Sequence, residues 1–394
     1  MRAIIVGGGI AGPAAALGLQ SVGIDVVLLE RAAEDRAAGS WLTLAPNGLA
    51  ALAELGALDA VRRIGVPTRL NVMLGATGAE LGRLPLGRAL DDGTPALSLR
   101  RPDLSATLMD VARSRGIDVR YGHAVVAAET SADGAAVRLA DGTDVSGDLA
   151  IGADGIRSVV RHAIDPRAPH GRYVGLVNFG GSTPDAASGA ALEPEAWTFV
   201  FGRRAFFGAL PTPSGDVAWF VNEPRAATSP QERTSTTGAQ WLAHLIDLAR
   251  GDDGPFADLI AAGVLELAGD PTHDLPRVAT WHRGNLALIG DALHAPSPSS
   301  GQGAALALED AVVLASVLRD ARTAGEPPSA AFAGFERSRR ARVERIVADG
   351  ARSSRSKIPG PVGRVVQEAM MRWAFRHLVT EKSTSATYDH RVSL

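Results

Sequence analysis

The fold of the amino-terminal region is decided by one stretch, Arg2-Ala3-Ile4-Ile5-Val6-Gly7-Gly8-Gly9-Ile10-Ala11-Gly12. The apolar run before the glycines is typical of a buried strand, and the alanine- and leucine-rich run that continues to about Ser21 is typical of a helix. A second apolar run extends from Asp25 to Leu29. Together these runs predict a βαβ unit with two buried parallel strands.

The glycines between the strand and the helix fit the pattern GxGxxG, which binds the pyrophosphate of a dinucleotide. Gly7 makes the tight turn, Gly9 lets a pyrophosphate approach the N–H groups at the helix start, and Gly12 allows close packing of helix on strand. Ala11 lies in the same first turn. Glu30 stands 18 residues after Gly12 and is placed to accept hydrogen bonds from an adenosine ribose. FAD and NAD both fit this part of the site.

The composition excludes several other kinds of chemistry. The 394 residues include no cysteine, which excludes disulfides, thiolate nucleophiles, iron–sulfur clusters and cysteine-ligated zinc. Redox chemistry must therefore come from a bound cofactor, and no metal is expected. The formal net charge is −3 with acids and bases interspersed, so no nucleic-acid partner is expected. The chain opens directly into a strand and has no long apolar run, so we expect a cytoplasmic protein without a membrane partner.

The middle of the chain differs in character from its two ends. Nine of the 19 aromatic residues lie between Tyr173 and Phe220, among strand-like runs. We interpret this region as an antiparallel β-sheet domain inserted into the first domain. After Trp281 the earlier pattern returns, with a strand from Leu286 to Ile289 and a helix from near Gly303. The expected boundaries are 1–70, 98–170 and 279–394 for the dinucleotide-binding domain with C-terminal helices, and 71–97 and 171–278 for a substrate-binding domain.

Turns and periodicity predict several further elements. Asp133-Gly134 and Asp141-Gly142 punctuate short alternating runs and predict a β-meander. Helices are predicted around Phe335 to Val347 and Val362 to Val379. The second of these helices carries one apolar stripe, formed by Val362, Val365, Val366, Ala369 and Trp373.

Three segments bear on the choice between FAD and NAD: Glu30-Arg31, Asp148 to Arg161, and Gly290 to Gly303. Together they resemble the fingerprints of the p-hydroxybenzoate hydroxylase family, and the resemblance covers nearly the full chain. It implies an α/β fold, in which a Rossmann-like FAD-binding domain of the glutathione reductase type carries an inserted antiparallel β-sheet substrate domain and C-terminal helices.

The resemblance also implies a set of FAD contacts. Asp154, Gly155, Ser158 and Arg161 match the middle fingerprint, and Gly290 and Asp291 match the third. Asp291 is placed to accept bonds from ribityl hydroxyls, and the backbone at Gly301 and Gly303 is placed to stabilise negative charge on a reduced isoalloxazine. The family frequently has asparagine where this chain has Ala305, and His294 follows the Gly-Asp pair without a visible catalytic partner. The expected FAD-binding residues are Gly7, Gly9, Ala11, Gly12, Glu30, Arg31, Arg101, Asp154, Gly155, Arg161, Gly290, Asp291, Pro298, Gly301, Gly303, Ala304 and Ala305.

The activity that the resemblance implies is that of a class A flavin monooxygenase. NADPH or NADH would dock transiently, since no second GxGxxG is present, and O2 would then form a flavin C4a-hydroperoxide. The oxygen would hydroxylate or epoxidise an aromatic or polyketide-like small molecule, with no catalytic side chain assigned. A homodimer is compatible with this reading. Trp197, Phe199 and Phe201 alternate along one strand, and with Phe207 and Trp219 they are expected to line an apolar pocket over the flavin.

Other functions are compatible with parts of this pattern. A flavin halogenase needs an early lysine and a Trp-x-Trp-x-Ile-Pro signature, but this chain has no lysine before Lys357 and no such hexapeptide. A non-oxygenating FAD reductase or an FAD-scaffolded cyclase keeps all the motifs and stays open. A module that binds NAD(H) as a redox sensor is a further alternative, without FAD.

Overall fold

The computed structural model describes residues 1–33, 39–185, 191–355 and 361–394. The strands, in chain order, are β1 (Arg2–Val6), β2 (Asp25–Leu29), β3 (Trp41–Leu44), β4 (Val66–Pro67), β5 (Leu70–Gly75), β6 (Glu80–Pro85), β7 (Leu97–Arg100), β8 (Asp118–Arg120), β9 (Val125–Thr130), β10 (Ala135–Leu139), β11 (Asp144–Gly147), β12 (Leu149–Gly152), β13 (Arg172–Thr183), β14 (Ala196–Phe201), β15 (Phe206–Pro211), β16 (Val217–Pro224), β17 (Val264–Asp274), β18 (His282–Arg283) and β19 (Leu286–Leu288).

The helices, in chain order, are α1 (Ala11–Ser21), α2 (Pro46–Glu54), α3 (Leu58–Arg62), α4 (Arg101–Ser114), α5 (Val159–Ile164), α6 (Pro230–Ser235), α7 (Gly238–Ala249), α8 (Phe256–Ala261), α9 (Gly303–Ala324), α10 (Pro328–Arg355), α11 (Pro361–His377) and α12 (Glu381–Tyr388). Short 3-10 turns cover Gly290–Ala292 and Pro298–Ser300. Within the described ranges, no helix is both long enough and apolar enough to cross a membrane.

The first sheet has the order β18-β19-β12-β1-β2-β8. All its neighbouring strands are parallel except the antiparallel pair β18 and β19. The apolar run of β1 is buried at its centre, as the sequence predicts, with Ile4 and Ile5 fully inaccessible to solvent. Because the parallel strands β1, β2 and β12 end at the same edge, the segments that follow them meet there.

The second sheet has the order β17-β13-β16-β15-β14-β5-β6. Its neighbouring strands are antiparallel, apart from β5 and β14, which are parallel. One face is covered by α7 and α8, whose apolar side chains share a core with those of β14, β15 and β16. The opposite face lines a cavity.

Smaller elements follow the sequence closely in places. The meander is confirmed, because β9, β10 and β11 form a three-stranded antiparallel sheet. The helix expected from near Gly303 is confirmed as α9. On α11, Val366 and Trp373 are 55% and 58% exposed, and Ala369 is also exposed. The apolar stripe of this helix therefore faces outward at these positions, whereas the side chains of Val362 and Val365 lie outside the described set.

Candidate active site

The glycine loop between β1 and α1 is held by close backbone packing. Gly7 has a φ of +109°, and a Cβ atom there would lie 2.4 Å from the carbonyl oxygen of Ala153. A Cβ atom at Gly12 would lie 1.8 Å from the carbonyl oxygen of Gly7. Ser105 of α4 donates to the carbonyl oxygens of Gly8 and Gly9, at 2.9 and 3.1 Å. Neither Gly7 nor Gly12 tolerates a side chain, and Ser105, which the sequence did not reveal, supports the loop.

The surroundings of Gly9 differ from those of Gly7 and Gly12. A Cβ atom there would meet no protein atom within 4 Å, and Gly9 is not among the glycines with positive φ. Neither packing nor backbone conformation therefore requires a glycine at this position. The space lies at the start of α1, where backbone N–H groups and the helix dipole favour an anion. A dinucleotide pyrophosphate fits this cradle.

The acid after β2 is firmly oriented. Glu30 is buried, and its carboxylate accepts hydrogen bonds from the N–H groups of Gly8 (2.5 Å) and Ala32 (2.7 Å). The carboxylate therefore lies beside the glycine loop, where the sequence pattern predicts the adenosine ribose. Arg31, the next residue, is exposed.

The segment after β12 is held by hydrogen bonds to the carboxylate of Asp154. The Asp154 carboxylate accepts from the N–H groups of Val159 (2.7 Å) and Val160 (3.2 Å) at the start of α5, and burial raises its pKa. Asp154 is enclosed by the protein and is not among the described residues that line the cavity.

Arg161 lies away from the cavity. Its guanidinium is fully buried and donates to the carbonyl oxygens of Ala292 (2.9 Å) and Ile156 (2.6 Å). Arg161 therefore joins the second fingerprint to the third, and it does not line the cavity, whereas Gly155 does.

The third fingerprint packs directly on the start of α1. Gly290 has a φ of +57°, and a Cβ atom there would lie 2.6 Å from the Cβ of Ala11. Asp291 follows it and lies 3.5 Å from the Nη2 of Arg101. The lining residues of this side of the cavity include Ala11, Arg101, Gly155, Asp291, Pro298, Gly301, Gly303 and Ala304. Ala305 is instead buried and packs towards Gly48 of α2.

A buried ionic cluster supports this loop. His294 Nε2 lies 2.5 Å from Asp310 Oδ2, which also accepts from the N–H of Gly290. Arg339 Nε donates to Asp310 Oδ1 at 2.9 Å. Burial by itself would raise the pKa of Asp310, but the charges of His294 and Arg339 outweigh it and lower that pKa to about 2. His294 thus anchors the loop, outside the cavity lining.

A cavity of about 580 Å³ separates these loops from the second sheet. Trp197, Phe199 and Phe201 of β14 all line it, as their alternation predicts. Phe206 and Phe220 complete the aromatic surface. Ring centroids of neighbouring members, such as Phe199 and Phe220, lie 5.0–5.9 Å apart.

Phe207 and Trp219 occupy a different position from the one expected. Phe207 is fully buried under α8, with its ring 5.1 Å from that of Phe256, and it does not line the cavity. Trp219 borders the cavity, but its indole belongs to the core beneath α7 and α8, where Nε1 donates to Thr183 Oγ1 at 3.0 Å. Successive strand residues point to opposite faces, so the neighbours Phe206 and Phe220 present their rings to the cavity.

Polar groups at the cavity were missed by the sequence reasoning. Asn178 Oδ1 accepts from Asn222 Nδ2 across β13 and β16. Glu266 is 3.2 Å from Arg100 and accepts from Ser182. Asn71 of β5 and Tyr388 at the end of α12 also line the cavity. Burial raises the pKa of the Tyr388 phenol. No local motif marks these residues, since strands and a tail from distant parts of the sequence bring them together.

Comparisons with known proteins agree with this geometry. The family described as FAD binding domain matches residues 1–350. The FAD-dependent urate hydroxylase of Klebsiella pneumoniae is 32% identical over 355 residues, 88% of each chain. The 2-heptyl-3-hydroxy-4(1H)-quinolone synthase of Pseudomonas aeruginosa is 34% identical over 357 residues, 88% of this chain and 87% of the relative. A crystal structure of a variant of Klebsiella pneumoniae HpxO with FAD is 27% identical, with a TM-score of 0.84 over 98% of both chains.

Curated relatives of this chain are named as an FAD-dependent hydroxylase and as a monooxygenase/isomerase, and the HpxO structure shares the fold of nearly the whole chain. FAD is the cofactor that both the matching family and the cradle at Gly9 support. The chain therefore belongs to the FAD-binding family of class A flavin monooxygenases.

Proposed function

We propose that this monooxygenase uses NAD(P)H and O2 to hydroxylate a flat, uncharged, fused aromatic ring. The observation that carries the proposal is the aromatic face of the second sheet, which lies across the cavity from the FAD-binding loops. Pockets of this size, mostly apolar with a few polar groups, suit small organic ligands.

The register of the sheet builds this face in rows. In the middle row, Gly180 pairs with Phe220, Phe220 with Gly208, Gly208 with Phe199, and Phe199 with Met73. A Cβ atom at Gly208 would lie 2.2 Å from the Phe220 ring. The glycine therefore lets two aromatic rings from non-adjacent strands approach each other. The result is a continuous apolar surface suited to a planar ring.

The charges at the cavity favour a neutral substrate. Among the described lining residues the one basic side chain is Arg101, and it faces Asp291 at 3.5 Å. Glu266 is paired with Arg100. A substrate carboxylate would lose its hydration without gaining an unpaired cation, which is unfavourable in a partly buried site.

The protein residues have defined tasks in this function. Gly9 and Glu30 would hold the adenosine diphosphate part of FAD, and Asp291 would hold the ribityl chain. The N-terminus of α9 at Gly303 favours negative charge next to the flavin ring. Bound FAD supplies the oxygen-transfer chemistry. The aromatic face orients the substrate and keeps water out.

The experiment measures NAD(P)H oxidation by the FAD-loaded enzyme with 4(1H)-quinolone, the ring named in one relative, and with related fused phenols. A substrate should raise the rate at least about tenfold, a barrier change of about 1.4 kcal/mol, and the product should gain one oxygen atom by mass. NADPH and NADH are compared in parallel.

A product without added oxygen would contradict the proposal and favour a reductase or a cyclase. If none of the aromatic compounds changes the rate of NAD(P)H oxidation, that result would contradict substrate-stimulated reduction. Faster turnover of naphthalene-2-carboxylate than of the neutral rings would contradict the proposed charge of the substrate.

A further inference from the structure

Asn71 is a polar residue on the aromatic face whose side chain has no assigned task. It lies on β5, lines the cavity and is 9% exposed. Within the described part of the chain its side-chain amide makes no hydrogen bond. Asn178 and Asn222 differ from it, because their amides bond to each other.

The neighbours of Asn71 offer no polar partner. Across the strands it pairs with Trp197 on one side and with Leu84 on the other. The Trp197 Nε1 atom already donates to Ser98 Oγ at 2.9 Å and to Thr43 Oγ1 at 3.1 Å. Leu84 is apolar. The amide of Asn71 is therefore directed among apolar groups at the wall of the cavity.

The side-chain amide of Asn71 borders the open cavity, and it is not among the fully enclosed polar groups without a partner. A ligand that fills the cavity would take water away from this amide, which then needs a matching polar atom of the ligand. A leucine of similar size at this position would extend the apolar surface without that need. A site that hydrogen-bonds a polar group of its ligand also discriminates strongly against an analogue that lacks the group.

We propose that Asn71 is a specificity-determining residue, which hydrogen-bonds the ring carbonyl or ring N–H of a neutral fused heteroaromatic substrate. This inference rests on the proposed function, since it concerns the same cavity. The amide suits this task because it carries both a donor and an acceptor and has no charge. It serves a carbonyl through Nδ2 and an N–H through Oδ1.

The experiment compares two planar probes of similar size, 4(1H)-quinolone and naphthalene, which has no hydrogen-bonding group. Each is titrated into the FAD-loaded enzyme, and the change in flavin absorbance gives the dissociation constant. Wild type should bind the quinolone more tightly. Asn71→Leu should lower the ratio of the naphthalene to the quinolone dissociation constant at least about tenfold, about 1.4 kcal/mol.

The matched control is Met73→Leu, because Met73 lies two residues along the same strand, lines the same cavity and has no hydrogen-bonding amide. It should change both dissociation constants in parallel. Without a probe, Asn71→Leu should retain FAD and unfold at the same temperature as wild type or higher. Asn71→Ala replaces it in the titrations if Asn71→Leu fails to retain FAD.

The outcomes separate the two proposals. An unchanged ratio in Asn71→Leu, or an equal change in Met73→Leu, overturns the role of Asn71. A markedly lower unfolding temperature for Asn71→Leu without probe would overturn it as well, since the amide would then be structural. Equal binding of both probes to wild type overturns the role of Asn71 and leaves the aromatic cavity intact. Failure of wild type to bind either probe overturns the proposed substrate class, and the role of Asn71 with it.

Discussion

At the scale of single residues, the glycines of the loop between β1 and α1 have two different environments. Gly7 and Gly12 are enclosed by backbone atoms, so a side chain there would clash with the protein itself. Gly9 has free space around it. A substitution at Gly9 therefore tests ligand binding without a clash in the folded protein.

We expect Gly9→Val to fold but to bind FAD at least about tenfold more weakly, about 1.4 kcal/mol, because the side chain would occupy the space of the pyrophosphate. The measurement is the FAD content after purification, together with a titration of the apoprotein. Gly238→Val is the matched control, since a Cβ atom at Gly238 also meets nothing within 4 Å and Gly238 has no positive φ. FAD retention by Gly9→Val equal to that of the control would show that this loop does not hold the pyrophosphate.

At the scale of elements, adjacent residues of β15 face two different environments. Phe206 faces the cavity, and Phe207 faces the core under α8. The two rings have the same chemistry and nearly the same place in the sequence. Their tasks differ because a strand alternates its faces.

We expect Phe206→Leu to increase the fraction of NAD(P)H whose electrons appear as H2O2, because a smaller side chain admits water to the cavity. Phe207→Leu should instead lower the free energy of unfolding by about 1–2 kcal/mol and leave the peroxide fraction unchanged. The measurements are peroxide yield per NAD(P)H and denaturant unfolding of both variants. Equal peroxide yields in the two variants would argue against the assignment of faces.

At the scale of the whole molecule, buried charges connect the carboxyl-terminal part of the chain to the candidate FAD site. Glu309 accepts from Arg339 and Arg342, and Arg342 also donates to the carbonyl oxygens of Ala386 and Thr387. Tyr388 follows directly and lines the cavity. Asp310 accepts from Arg339 in the same cluster, and it also accepts from the N–H of Gly290 in the loop after β19. Loss of one charge should therefore affect global stability.

Acid should reveal the contribution of Asp310. Its pKa is lowered from the ordinary 3.8 to about 2 in the folded protein, so the unfolded chain binds the proton more readily. The corresponding stability, about 2 kcal/mol, is present above about pH 4 and is lost as the pH falls from 4 towards 2. Urea unfolding from pH 5 to 2.5 should therefore show a shallower pH dependence for Asp310→Asn than for wild type.

The exposed turn variant Asp133→Asn serves as the control and should follow wild type. A pH dependence of Asp310→Asn as steep as that of wild type would mean that other carboxylates dominate acid unfolding.

The sequence by itself determined the features that depend on local backbone requirements. The strand, glycine loop and helix at the start, the meander with its Asp-Gly turns and the start of α9 all follow from short-range periodicity or from positions that need glycine. The family resemblance added the FAD cofactor and the monooxygenase class, because the three fingerprints are contiguous segments. The alternation of Trp197, Phe199 and Phe201 likewise placed them together on one face.

Only the tertiary structure decided whether the face with Trp197, Phe199 and Phe201 borders the cavity or the core, and which residues lie opposite it. Phe207 and Trp219 belong to the core side, since the register of β14, β15 and β16 sets their neighbours. Asn71 meets Trp197 because β5 pairs with β14, a contact between distant parts of the chain. Such pairings depend on the global burial of apolar faces. Local patterns carry no information about them, so the polar residues that line the cavity are defined only by the folded chain.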